Sequence, residues 1–202
     1  NLAFTPALDA HGAAYDSFGF AVHDGTAYSV NSYTLTIDVT PMNDPPTTSD
    51  NTVITDEDSS YVFAPADFNF SDVDGDSLSQ VQITSLESVG SLQLSGVDVT
   101  LNQVILAAAI SGGNLTFTPL PDANGPAYDS FGFAVHDGTT YSATSSTLTI
   151  DVTPVNDPPT ASNNTILTNE DTSYAFTLAD FNFSDIDGDS LTQVQVTRLE
   201  SI

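Results

Sequence analysis

The chain repeats itself with a period of 113 residues, and no other feature restricts its fold as strongly. Residues 1–89 align without a gap on 114–202, and 65 of those 89 positions are identical. Residues 16–25 and 129–138 both read Asp-Ser-Phe-Gly-Phe-Ala-Val-His-Asp-Gly, and 68–72 and 181–185 both read Phe-Asn-Phe-Ser-Asp. Copies this alike form a tandem array of one structural unit. The units are joined by near-identical linkers, Pro-Met-Asn-Asp-Pro-Pro at 41–46 and Pro-Val-Asn-Asp-Pro-Pro at 154–159. Paired prolines fix φ and hold the residues before them extended, so these linkers are expected to be stiff. Division at the linkers gives three segments: 1–42, the C-terminal part of one repeat; 43–155, a complete repeat; and 156–202, the N-terminal part of the next. The two partial segments lack a counterpart of 90–113 and so do not rebuild a repeat between them. The chain is expected to be a window on a longer array.

Within the complete repeat, short apolar alternations are punctuated by turn residues. Strands are expected near 52–55, 61–64, 78–86, 92–94, 97–101, 115–117, 131–135 and 141–152. Phe131, Phe133 and Val135 should point inward together, as should Leu148, Ile150 and Val152. The apolar run 104–110 reads as a strand, a helical turn, or one after the other. Residues 119–128, rich in Pro, Gly, Asp and Asn, read as a loop. Seven or more short strands with turns about every 8–12 residues point to an all-β sandwich with Greek-key connections. The chain has no cysteine, so neither disulfides nor thiolate metal sites exist. No run of about 18 apolar residues is present, so no helix is expected to cross a membrane.

The charge is lopsided: 27 acidic side chains against one basic one, Arg198, for a formal net charge of −26. Such a chain repels nucleic acid and anionic membranes. Some of this charge serves solubility, but its recurrence at fixed intervals suggests a cation. Calcium takes six to eight oxygen ligands, which requires several acidic loops to meet. The repeat has four such loops, at Glu57, at Asp72 and Asp74, at Asp122 and Asn124, and at Asp137. Asp-x-Asp-Gly-Asp at 72–76 and 185–189 alone is an ordinary turn. It is not an EF-hand loop, since neither the glycine nor the distant glutamate is in place.

Four motifs together span the whole period: Leu-Thr-Phe-Thr-Pro at 115–119, Asp-Ala-Asn-Gly at 122–125, Asp-Ser-Phe-Gly-Phe-Ala-Val-His-Asp-Gly at 129–138, and Val-Asn-Asp-Pro-Pro at 155–159. In these the chain resembles the cadherin-like tandem repeats of large bacterial surface adhesins of the RTX and biofilm type. The resemblance implies cadherin- or immunoglobulin-like sandwiches in tandem, with Ca2+ held between consecutive domains. Carried over position by position, it places Glu57, Asp122, Asn124, Asn156, Asp157, Asp185 and Asp187 at the lower junction. The upper junction would use Asp9, Asn43, Asp44, Asp72, Asp74 and Asp137. Asp16, Asp129, Asp38 and Asp151 are further candidates, while Asp76 and Asp189 are expected only to stabilise their turns. Asn124 stands where that family carries Glu, and His11 takes the same place in the first copy, which lowers the charge at both junctions.

The expected function is a calcium-rigidified extender of a secreted or surface-bound bacterial adhesin, with no catalytic residues. The expected partners are neighbouring repeats of the same chain, with homotypic or surface-ligand contacts beyond them. Two alternatives stand beside it: a cadherin-like module that binds glycan or protein, and a self-assembling extracellular fibre subunit. His23 and His136, at equivalent places before a turn, are expected to be plain surface residues.

Overall fold

The structure is a computed structural model that describes residues 1–199; the last three residues of the third segment, 200–202, lie outside the described residues. Strands follow one another as β1 (Gly12–Phe20) and β2 (Tyr33–Val39) in the first segment. The complete repeat holds β3 (Asn51–Asp56), β4 (Tyr61–Val62), β5 (Gln80–Ser85), β6 (Ser91–Leu94), β7 (Val97–Asp98), β8 (Val104–Leu106), the short helix α1 (Ala107–Ser111), β9 (Leu115–Thr118), β10 (Gly125–His136) and β11 (Ser146–Thr153). The third segment adds β12 (Thr160–Ala161) and β13 (Phe183–Ser184).

In the complete repeat two sheets face each other. One has the order β3-β11-β10-β5-β8 and the other β4-β9-β6-β7. The alternating residues meet between them: Phe131, Phe133, Val135, Leu148, Ile150 and Val152 from the first sheet, Leu92, Leu115 and Phe117 from the second. Phe63 and Phe68 close the cluster, with edge-on contacts from Phe63 to Phe131 and from Phe68 to Phe133 at centroid separations of 5.5 and 5.0 Å. The expected all-β sandwich is what forms.

Local departures have physical causes. The run 104–110 is strand and then helix: Ile105 is buried from β8, and Ile110 is buried from α1. Residues 65–68, between two apolar pairs, form a 3-10 turn led by Pro65, with the Asp67 carboxylate accepting the Ala64 N–H at 2.8 Å. The expected loop 119–128 is loop only up to Asn124. From Gly125 the chain is already strand, with a bulge between Gly125 and Asp129. Ala127 sits there at φ 46°, and Asp151 Oδ1 accepts its N–H at 2.7 Å. Asp38 does the same for Ala14 at 2.6 Å in the first copy.

One pairing sets the direction of the array. β3, at the start of the sandwich, runs parallel to β11, at its end, with Asn51 opposite Leu148 and Asp56 opposite Thr153. Two parallel neighbours that begin and end a domain put its incoming and outgoing chain at opposite poles. The eight residues of β11 cover about 26 Å at 3.3 Å per residue. Successive sandwiches therefore follow one another end to end.

The partial segments repeat the local pattern without its cover. β1 and β2 pair in the register of β10 and β11, from Gly12 opposite Val39 to Phe20 opposite Tyr33. Phe18 and Phe20 are each 37% exposed, whereas their equivalents Phe131 and Phe133 are 1% and 0% exposed. In this 202-residue chain, Phe133→Ala should lower the free energy of unfolding of the sandwich by about 3–5 kcal/mol. Phe20→Ala at the equivalent place should cost far less, and urea titrations of the two variants side by side provide the comparison.

Candidate metal centre

The parallel ladder carries β3 past its last pair and delivers Glu57 to the pole where the chain leaves. The Glu57 N–H donates to Thr153 O at 2.9 Å, which continues the β3–β11 pairing. Its side chain turns inward and is 2% exposed. Oε1 accepts the N–H of Val155 at 2.6 Å, and Oε2 accepts Nδ2 of Asn124 at 2.8 Å. Asp58 follows at φ 57°, a left-handed turn that brings its carboxylate to the same pole. There Oδ1 accepts the N–H of Asp122 at 3.1 Å.

The linker and the next repeat complete the arrangement. Asp157 donates its N–H to Asp187 Oδ2 at 2.7 Å, and Asn156 Nδ2 donates to Asp157 O at 2.9 Å. Ligand atoms of Glu57, Asp157 and Asp187 lie within 4.8 Å of one another, as do those of Asp58, Asp122 and Asp157. Asp157 belongs to both groups. Its Oδ2 is buried and has no hydrogen-bond partner. Burial pushes its carboxyl above the ordinary range, and Asp122, Asp187, Asp58 and Glu57 push the same way. Five carboxylates from the two repeats and the linker thus converge, while the whole chain carries one basic side chain. One basic side chain cannot neutralise five carboxylates, and the cluster is one that could hold a metal ion. The donor set is all oxygen and strongly anionic, which suits a hard divalent cation such as calcium and not a thiolate- or imidazole-preferring metal.

Of the lower-junction residues expected from sequence, Glu57, Asp122, Asp157 and Asp187 are gathered here. Asn124 is bonded to Glu57, and Asn156 is folded onto its own neighbour. Asp185 braces its own turn by accepting the N–H of Asp189 at 3.0 Å and lies in neither group. Asp58 was not among the expected residues.

The upper junction is a sparser version. Asp44 donates its N–H to Asp74 Oδ2 at 2.7 Å, matching the Asp157–Asp187 bond. Asp72 Oδ1 accepts the N–H groups of Asp74 and Asp76 at 2.8 and 3.2 Å, and its Oδ2 is buried without a partner. Asp9, His11, Met42, Asp44 and Asp74 line a cavity of about 190 Å³. The Asp44 carboxyl is pushed up by burial, then by Asp9, Asp74 and Asp72. Asn43 also borders this junction, in a cavity with His11, Asp74 and Asp76, but its Nδ2 donates to Asp137 Oδ2 at 3.0 Å at the hairpin tip.

Other acidic candidates serve the backbone. Asp129 is buried and accepts N–H groups from Ser88, Val89, Gly90 and Ser130 at 2.8–3.2 Å. Burial raises its carboxyl, but those bonds outweigh it and leave it below the ordinary range. Of the two histidines set before turns, His23 is exposed and His136 half-buried, each bound within its own turn. Nδ1 of His136 accepts the Gly138 N–H at 2.8 Å, and its ring meets Tyr141 edge-on at 4.4 Å; His23, Gly25 and Tyr28 repeat this.

A family comparison matches residues 43–153 and 156–201 to the bacterial Ig domain. The chain belongs to the bacterial Ig domain family. Searches of curated proteins and of solved structures returned no match. Bacterial Ig domains are typical of surface proteins. The bacterial Ig family accounts for a tandem β-sandwich.

The titrations act in opposite directions. Asp157 and Asp44 have raised folded-state pKa values, so without metal the folded junction should gain stability as pH falls from neutral through their raised range. Asp129 and Asp137 are depressed, Asp137 to about 2, so their contribution is intact above the ordinary carboxylate range and lost as pH falls through the depressed values. Thermal unfolding of the metal-stripped chain should therefore peak at mildly acidic pH. A melting temperature that falls monotonically from pH 7 to pH 2 would contradict the assignment.

Proposed function

We propose that the chain is a calcium-rigidified extender of a bacterial surface adhesin, which holds a binding region away from the cell. The observation that carries this reading is the junction where Glu57, Asp58 and Asp122 of one sandwich face Asp157 and Asp187 of the next, around a buried, unpartnered Asp157 oxygen. Cations there neutralise carboxylates that otherwise repel, and in doing so fix one sandwich against its neighbour. The parallel β3–β11 pairing adds reach, because each repeat lengthens the molecule along one axis. A string of identical stiff units has a mechanical role and needs no chemistry of its own.

The tyrosines support this reading over glycan binding. Tyr61 donates to Asp67 at 3.2 Å, Tyr128 accepts the Leu120 N–H at 3.1 Å, Tyr174 donates to Asp180 at 3.0 Å, and Tyr141 packs on His136. Their ring positions are set by internal contacts and do not form an open stacking face.

Calorimetric titration of the 202-residue chain should show calcium binding that raises the melting temperature of the sandwich. Asp157→Asn should weaken binding by about tenfold or more, because it removes the carboxylate common to both groups. Asp185→Asn should have a much smaller effect. Equal affinities for both variants and the parent chain would reject the junction as the site.

A further inference from the structure

We infer that Asp137 is a positioning residue which locks the incoming linker onto its own sandwich, and that it does not ligate a cation. Asp137 is buried at the tip of the β10–β11 hairpin. Its Oδ1 accepts the N–H groups of Thr139 and Thr140 at 2.5 and 2.7 Å. Its Oδ2 accepts Nδ2 of Asn43 at 3.0 Å and Oγ1 of Thr140 at 3.3 Å. Four donors occupy the two oxygens, and a carboxylate so engaged has little capacity left for a metal. The other N–H of the Asn43 amide goes to Asp44 O at 3.0 Å, so both hydrogens are held and Oδ1 is the remaining free atom. One residue on, Asp44 is tied to Asp74, and Thr47 exchanges two backbone bonds with Ser71 at 2.7 and 2.9 Å.

The linker therefore belongs mechanically to the repeat that follows it. Its ties are to Asp137, Asp74 and Ser71, all within 43–155. Across the lower boundary the Asp157 side chain meets carboxylates of the preceding repeat, Glu57, Asp58 and Asp122, together with Asp187 of its own. Each sandwich carries its own linker as a fixed projection. The hairpin of the first copy has the same turn: Asp24 Oδ1 accepts the N–H groups of Thr26 and Ala27 at 2.7 and 2.8 Å. Ala27 stands there in place of Thr140 and removes the hydroxyl donor. The lock itself is independent of any metal; its consequence for cation placement at the upper junction rests on the extender reading.

Hydrogen exchange of the Asp44 and Thr47 amides, measured in the 202-residue chain with chelator present, tests the lock without calcium. Asp137→Asn sets one amide against another at Asn43. It should speed exchange at both amides by on the order of tenfold, the expected loss for a charge-assisted bond. The double variant Asn43→Asp with Asp137→Asn reverses donor and acceptor at the same net charge and should restore slow exchange. Asn43→Ala, which leaves the hairpin bonds of Asp137 intact, should reproduce the fast exchange even if Asp137→Asn unfolds the hairpin. Exchange unchanged by Asn43→Ala and Asp137→Asn in chelator, with calcium affinity lost only in Asp137→Asn, would overturn the proposal in favour of a ligand role. If no variant or parent chain binds calcium, the exchange result still decides the lock, and the extender reading fails on its own.

Discussion

Like charges brought within a few ångströms in half-buried space must be compensated or kept apart. At the lower junction the backbone does not keep them apart. The parallel pairing of β3 with β11 delivers Glu57 to the outgoing pole, and the linker that leaves the same pole carries Asp157 back against it. The same ladder that makes the sandwich an end-to-end unit thus creates its electrostatic problem. With one basic side chain in 202 residues, the chain itself offers almost no compensating charge.

The sandwich and the junction rely on different forces. Inside, aromatic and branched side chains of two sheets interlock, and polar groups such as Asp129 and Asp137 are bound to backbone amides. That interior needs no ion. At the poles, apolar contact is slight and the groups that meet are acidic. The packing within a repeat and the meeting of its pole with the next repeat thus rest on different interactions.

Much of this was legible in the sequence. The period gave the unit, and strict alternation at Phe131, Phe133 and Val135 gave the buried face of β10. The departures came where a local signal has two physical meanings. Pro, Gly, Asp and Asn at 119–128 read as loop, yet Gly125 and Ala127 are a bulged strand because Asp151 bonds the bulge from the neighbouring strand, a contact between distant residues. The strand expected over 61–64 is cut to Tyr61–Val62 because Pro65 and Asp67 wind the chain just after it. Asp58 was not expected because the resemblance supplies only Glu57 from this turn; the left-handed turn at Asp58 brings its carboxylate to the same pole. Asp137 has the residue type and spacing of a ligand, and only its hydrogen-bond partners show how its oxygens are used.

Small-angle scattering of the 202-residue chain, in millimolar calcium and again in chelator, tests the central claim most directly. A cation-held junction predicts a longer maximum dimension and a narrower distribution of shapes with calcium. It also predicts that Asp157→Asn scatters like the chelated parent under both conditions. Identical profiles for the parent chain with and without calcium would contradict the account.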